Sequence, residues 1–187
     1  HGLRTVEPTE WVAYINSDDW LYTGSVQRLL NAAPDADFVY GDCDFVDAQG
    51  RLAYARRAPR PDMLIPLFRL GLMLFAQPAT IFRRAAYEQL QGFDERMSLC
   101  ADADFFARAL MTGLRFAHVP SPSVAAFRVH SGQLSTMRAA EMREETRALS
   151  SKVGSARRTD RLVFLRWKAT NIDQYLLQWL RKPRCIF

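Results

Sequence analysis

The sequence predicts an α/β fold, a mixed sheet flanked by helices and followed by a helical tail. Three observations carry this expectation. Short apolar runs rich in strand formers alternate with segments of helical spacing, the pattern of a sheet with helices packed on it. The turn Asp47-Ala48-Gln49-Gly50 separates Phe45-Val46 from Leu52-Ala53-Tyr54, which marks a hairpin and so an antiparallel part of the sheet. From Arg157 onward a basic stretch leads into a single apolar stripe, a pattern of its own.

Trp11 to Ile15 is a short apolar run that ends abruptly in Asn16-Ser17-Asp18-Asp19, as a buried strand entering a turn does. Ser25 precedes Val26, Leu29, Leu30 and Ala33, helical spacing with Ser25 as its N-cap and Pro34 as its stop. Phe38-Val39-Tyr40 centres a second strand. Ala58 to Asp62, rich in Pro and Arg, is a loop, and Met63 to Phe75 is helical or irregular and partly buried. Thr80-Ile81-Phe82 is a short strand, and Arg84 to Leu90 a short helix closed by Gly92. Asp102 to Met111 is a helix with Gly113 just past its end. Phe116 to Val119 and Val124 to Arg128 are strands, and Arg138 to Lys152 is a charged helix. The expected division is an α/β domain over residues 1–136 and a helical extension over 137–187.

The 187 residues are 49% hydrophobic and 24% charged, ordinary for a globular protein with a sizeable core. The net charge of +5 suits an anionic ligand or an acidic membrane surface. No recognisable nucleic-acid module accompanies it, so nucleic acid is not an expected partner. Cys43, Cys100 and Cys185 are odd in number and lack metal-type spacing, which fits a reducing, cytoplasmic compartment. The most apolar stretch, Met63 to Phe75, is broken by Pro66 and Arg69 and is shorter than the roughly 20 residues that span a bilayer. The chain starts at His1 and runs almost at once into a core strand, so an N-terminal part is expected to precede it.

Four groups of residues suit chemistry. Asn16-Ser17-Asp18-Asp19 follows a buried strand and falls at the carboxyl edge of the sheet, where open α/β sheets bind ligands. Its oxygen ligands suit Mg²⁺ or Mn²⁺ shared with phosphates, and the same residues also serve as an Asx-turn. Asp102 and Asp104 lie at a helix start, where the dipole stabilises negative charge. Two residues apart, they point in different directions, so one can face a cleft while the other pairs elsewhere. Arg128 and His130 share a strand face and suit a diphosphate and its metal, or a surface pair. Gln77-Pro78-Ala79-Thr80, with Arg83-Arg84 nearby, offers polar contacts to a sugar or simply a polar loop.

In order, these segments resemble family 2 glycosyltransferases of the GT-A fold: the acid cluster, Gln77 to Arg84, Gly92-Phe93-Asp94-Glu95, Ala101 to Arg108, and Phe127 to His130. The resemblance covers about Trp11 to Ser135. It implies a partial GT-A, Rossmann-like sheet that lacks its N-terminal nucleotide-binding part. It also implies a metal-dependent, inverting transfer of a sugar from a nucleotide-sugar donor to an acceptor hydroxyl in polysaccharide or glycan synthesis. Asn16-Ser17-Asp18 takes the place of the family's Asp-x-Asp motif with its first acid replaced, which makes Asp18 the metal ligand and Asn16 and Asp19 donor contacts. Ala101-Asp102 takes the place of the Glu-Asp pair, again without its first acid, and makes Asp102 the catalytic base. His130 is placed at the metal, Arg128 at the diphosphate, and Gln77 and Asp94 on the acceptor side. The two lost acids and the missing start also fit another class, a non-catalytic domain that keeps the fold as an interaction surface.

In the tail, Ile172, Tyr175, Leu176, Trp179 and Leu180 form one helical stripe after a basic stretch, with Arg181, Lys182 and Arg184 beyond it. Such a helix lies in a membrane interface or packs its stripe on the domain or on a partner. The first reading would bring a peripheral enzyme to the inner face of a membrane, near a saccharide or lipid-linked acceptor.

Overall fold

The structure is a computed structural model that describes residues 9–180. Its strands are β1 (Trp11–Ala13), β2 (Trp20–Leu21), β3 (Phe38–Gly41), β4 (Cys43–Val46), β5 (Leu52–Arg56), β6 (Thr80–Arg83), β7 (Phe116–Val119) and β8 (Ala125–Arg128). Its helices are α1 (Ser25–Ala32), α2 (Pro61–Arg69), α3 (Arg84–Gln89), α4 (Ala101–Met111), α5 (Leu134–Met137), α6 (Ala139–Val153), α7 (Arg158–Thr170) and α8 (Ile172–Leu180). The fold class is α/β with helices on mixed sheets and a helical C-terminal region, as the sequence predicts.

The expected single sheet is two. One has the order β1-β6-β3-β7 and the other β2-β8-β4-β5. In the first, β3 pairs parallel with β7 and antiparallel with β6. In the second, β4 pairs parallel with β8 and antiparallel with β5. The parallel pair β3/β7 thus hands over to the parallel pair β4/β8, and the changeover falls at Asp42 and at residues 120–124. Asp42 is buried there. Its carboxylate accepts the backbone N–H of Ala58 at 2.9 Å and of Ser121 at 3.0 Å, and meets His118 Nε2 at 2.8 Å. One carboxylate therefore ties its own segment to two others, at Ala58 and at residues 118–121, at the step between sheets.

Two apolar layers cover the sheets. On one side Phe38, Tyr40 and Phe82 meet Phe68 of α2, Phe105 and Phe106 of α4, and Leu149 of α6. Phe38 and Phe116 face each other in register and stack with ring centroids 4.6 Å apart, the cross-strand pairing that stabilises sheets. On the other side Leu29 of α1 packs with Val39, Ile81 and Val124. α1 begins after Gly24, whose φ of 78° forms the turn, so Ser25, expected as the cap, is the first helical residue instead.

α7 is tied to α2 by Asp160 and Arg69. Arg69 donates through Nε at 2.9 Å and through a terminal nitrogen at 2.7 Å, and both side chains are largely buried. A bidentate guanidinium–carboxylate pair fixes orientation as well as distance. The expected Met63 to Phe75 element resolves into α2, which starts at Pro61 and ends before Gly71 (φ 73°). Among the described residues no helix is long and apolar enough to cross a membrane.

Candidate functional site

β1 runs out into Asn16-Ser17-Asp18-Asp19, and the Asp19 N–H closes a turn on the Asn16 carbonyl at 3.2 Å. The turn sends neighbouring carboxylates opposite ways. Asp19 goes inward: it is buried, accepts the Arg128 backbone N–H at 2.9 Å and the Asn16 amide at 3.3 Å. Burial raises its pKa, against the opposing pull of the Arg128 N–H. Asp19 thus fastens the turn to β8.

Asp18 goes outward and meets His130 Nε2 at 3.1 Å, each side chain about a third exposed. The Gly132 N–H donates to His130 Nδ1 at 3.2 Å. A ring nitrogen that accepts carries no proton, so these bonds put the proton on Nε2, facing Asp18. A metal ion taking Nε2 would have to displace that proton.

Asp102 stands in the first turn of α4, the helix whose N-terminal dipole favours a carboxylate. Burial pushes its pKa up, opposed by the Ala103 and Asp102 backbone N–H groups. The neighbouring acid behaves differently. Asp104 is buried and pairs with Arg108 at 2.7 Å on the same helix. The two acids of α4 therefore separate as their spacing predicts, one toward a cleft and one into an ion pair. Glu145 of α6 holds the approach to this helix, accepting the backbone N–H of Leu99 at 3.1 Å and of Cys100 at 2.9 Å.

Asn16, Asp18, Gln77, Asp102 and His130 line one cavity of about 1110 Å³. Gln77 is buried and donates to the Tyr14 carbonyl, which anchors the segment before β6 to the end of β1. Three residues expected at the site lie elsewhere. Asp19 is turned inward, as described. Arg128 lies over the Trp20 ring, 5.3 Å from its centroid, and reaches the Ala48 carbonyl at 3.4 Å. Asp94 pairs with Arg96 at 2.8 Å, which holds its carboxyl well below the usual range.

The cation that does line the cavity is Arg56, at the end of β5. Its guanidinium lies 4.1 Å from the centroid of the Phe45 ring and 3.2 Å from the Tyr54 hydroxyl. Sequence reasoning passed it over because it sits in a hairpin with no motif around it. Strand parity was the available signal, since Arg56 shares a face with Tyr54. Tyr14 and Phe93 also line the cavity, with ring centroids 5.8 Å apart, and give its wall two aromatic rings.

Asp18 offers the hard carboxylate oxygen that suits Mg²⁺ or Mn²⁺, whereas the His130 imidazole beside it would first have to give up its Nε2 proton. Among the described residues no group of three or more His, Cys, Asp or Glu side chains gathers as a metal site.

No family model matches the sequence, and no curated protein matches it either. Solved structures do match in fold. S. aureus TarS residues 1–349 in complex with UDP-GlcNAc aligns over 81% of this chain and 48% of that one, with TM-score 0.51 and 15% identity. The crystal structure of S. aureus TarS matches with TM-score 0.49 and 17% identity over 81% of this chain and 28% of that one. The chain thus spans less than half the length of these structures, and the likeness shows a shared α/β fold.

Proposed function

We propose that this chain carries the catalytic side of a metal-dependent glycosyltransferase, which moves a sugar from a nucleotide-sugar donor to an acceptor hydroxyl with inversion. The observation that carries the reading is the convergence of Asp18, His130 and Asp102 on one cavity. Two supports stand beside it: the ordered motifs of the sequence, and a fold shared with S. aureus TarS, which was solved with UDP-GlcNAc.

In this reading Asp18 and His130 hold Mg²⁺ or Mn²⁺. When bound, the ion neutralises the negative charge that grows on the departing nucleoside diphosphate. Asp102 accepts the proton of the acceptor hydroxyl as that oxygen attacks the anomeric carbon. A carboxylate raised by burial is a stronger base than an exposed one, which suits this role. Arg56 adds a fixed positive charge in the cavity wall for the diphosphate. Tyr14 and Phe93 receive a sugar ring, and Gln77 keeps its segment in place beside them. A single base suffices for such a displacement, whereas a glycosidase uses two carboxylates flanking the bond. Saccharide or lipid-linked acceptors in polysaccharide or glycan synthesis suit the site.

The test is calorimetric titration of UDP, GDP and TDP, with and without Mn²⁺, into this chain and its Asp18→Ala variant. Metal-dependent binding that the variant loses supports the donor site. Binding that is metal-independent, or unchanged in the variant, sinks it. The replacements at Asn16 and Ala101, which leave the cavity two acids short of the family pattern, favour a second reading as a non-catalytic interaction domain. Metal-dependent binding without any transfer would support that one.

A further inference from the structure

The last helix is built inside out, and the one before it leaves leucines exposed. A surface helix normally buries its apolar stripe against the domain. α8 instead turns its polar side inward. Gln174 is 5% exposed and accepts the Arg57 backbone N–H at 2.8 Å, Asn171 accepts from the Arg57 guanidinium at 3.2 Å, and Gln178 reaches the Tyr54 hydroxyl at 3.5 Å. Among the described side chains of the predicted stripe Tyr175 alone turns inward, edge-on to Trp167. The rest of the described stripe faces out: Ile172 is 58%, Leu176 55% and Trp179 70% exposed. α7 packs Trp167 inward, with Val163 and Phe164 half-buried beside the buried Asp160, yet leaves Leu162 and Leu165 exposed.

The charges beside these rows are of one sign. Both acids of the two helices are taken up, Asp160 by Arg69 and Asp173 by Arg57. Arg158, Arg161 and Arg166 are exposed and make no ion pair among the described residues. The sequence adds Arg181, Lys182 and Arg184, which lie outside the described residues. Exposed leucines and a tryptophan on the same two helices as Arg158, Arg161 and Arg166 complement an apolar layer capped by anionic headgroups. A water-facing helix has no use for the leucines, and a neutral protein groove has none for the arginines.

We infer that α7 and α8 form a docking surface for an anionic lipid bilayer, with Leu176 and Trp179 entering the interface and Arg161 and Arg166 on the headgroups. The inference does not depend on the proposed transfer. The experiment is co-sedimentation of the full 187-residue chain with vesicles of phosphatidylglycerol and phosphatidylcholine, and with phosphatidylcholine alone. It is repeated with Leu176→Ser/Trp179→Ser and with Arg161→Gln/Arg166→Gln. These side chains are exposed, and thermal melts verify that the variants fold. Binding to the anionic vesicles alone is expected, weakened about tenfold or more by the loss of two headgroup charges in the arginine variant and by about as much through the loss of two apolar side chains in the Leu176/Trp179 variant. Absence of binding, or equal binding by all three proteins, overturns the inference. So does light scattering that shows a dimer dissociated by the Leu176/Trp179 variant, since the apolar row would then face a second copy.

Discussion

Glu145 accepts the Cys100 backbone N–H at 2.9 Å, two residues before Asp102. The same carboxylate takes the Leu99 N–H and the Ser98 hydroxyl. One side chain from α6 thus sets the loop from which α4, and with it the candidate base, starts. Glu145→Ala is expected to destabilise the fold by about 2 kcal/mol, the scale of hydrogen bonds to a charged group. Burial raises the Glu145 pKa, but the Ser98, Cys100 and Leu99 donors outweigh it and leave the pKa lowered. A lowered carboxylate contributes stability above its unfolded pKa of about 4.3 and loses it as pH falls through the folded value. Urea melts should therefore show wild type and variant apart at pH 7 and converging as pH falls through the folded value. A constant gap would mean that packing, not the charge, holds the loop.

The Arg69–Asp160 pair behaves differently, because it is largely buried. Removing one partner strands the other charge, so Asp160→Ala should cost about 3–5 kcal/mol. Replacing both, as Arg69→Met/Asp160→Leu, should be nearly neutral, since no buried charge remains. The hydrogen bonds from Arg69 lower the Asp160 pKa. Its contribution is then present above about pH 4 and is lost as pH falls through the folded value. Equilibrium unfolding of the three proteins decides this, and a double variant as damaged as the single would show that the leucine cannot pack there.

Most of the fold was legible because its elements are short, apolar and bounded by Gly and Pro. Gly92 and Gly113, read as helix ends, adopt φ of 75° and 79°, conformations that glycine takes at low cost. The division into two sheets was not legible. It depends on Asp42, which sits between two strand-forming runs and acts through Ala58, Ser121 and His118, partners far away in sequence. The lining of the cavity was half legible. Asp18, Asp102 and His130 could be placed on the cavity because Asp102 opens α4 and the other two lie in the turns that follow β1 and β8. Asp19 and Arg128 could not, because a turn sends adjacent side chains to opposite sides, and their partners are Asn16 and Trp20. Arg56 shows the converse, a residue without a motif that pairing of β5 with β4 carries to the cavity.

Gly41 ends β3 just before the step between sheets. A Cβ there would stand 2.7 Å from both Val124 methyl carbons, and Val124 is fully buried. Gly41→Ala is therefore expected to cost about 1–3 kcal/mol, the usual penalty of overpacking. Val124→Ala removes the obstructing methyls and should cost on its own through the cavity left. The double variant should be more stable than the sum of the two predicts, with a coupling of about 1 kcal/mol. Additive losses in urea unfolding would show that the backbone at Gly41, not the Val124 side chain, sets the requirement.

Asp102→Asn separates a catalytic from a structural carboxylate. As a general base Asp102 should account for about 10²–10⁴ in transfer rate, with donor binding left near the wild-type level. Its pKa is raised by burial, so the acid limb of the rate profile should lie above the ordinary carboxylate value of about 3.9. Stability should move the opposite way from Glu145. An acid whose folded pKa is raised loses stability as pH climbs from its unfolded value through its folded one, and above both it carries the full cost of a buried charge. The asparagine variant carries none. It should melt above wild type at pH 7, and the difference should close below about pH 4. A variant that transfers poorly and is also less stable at pH 7 would mean that the Asp102 carboxylate holds the start of α4 together rather than waiting for a proton.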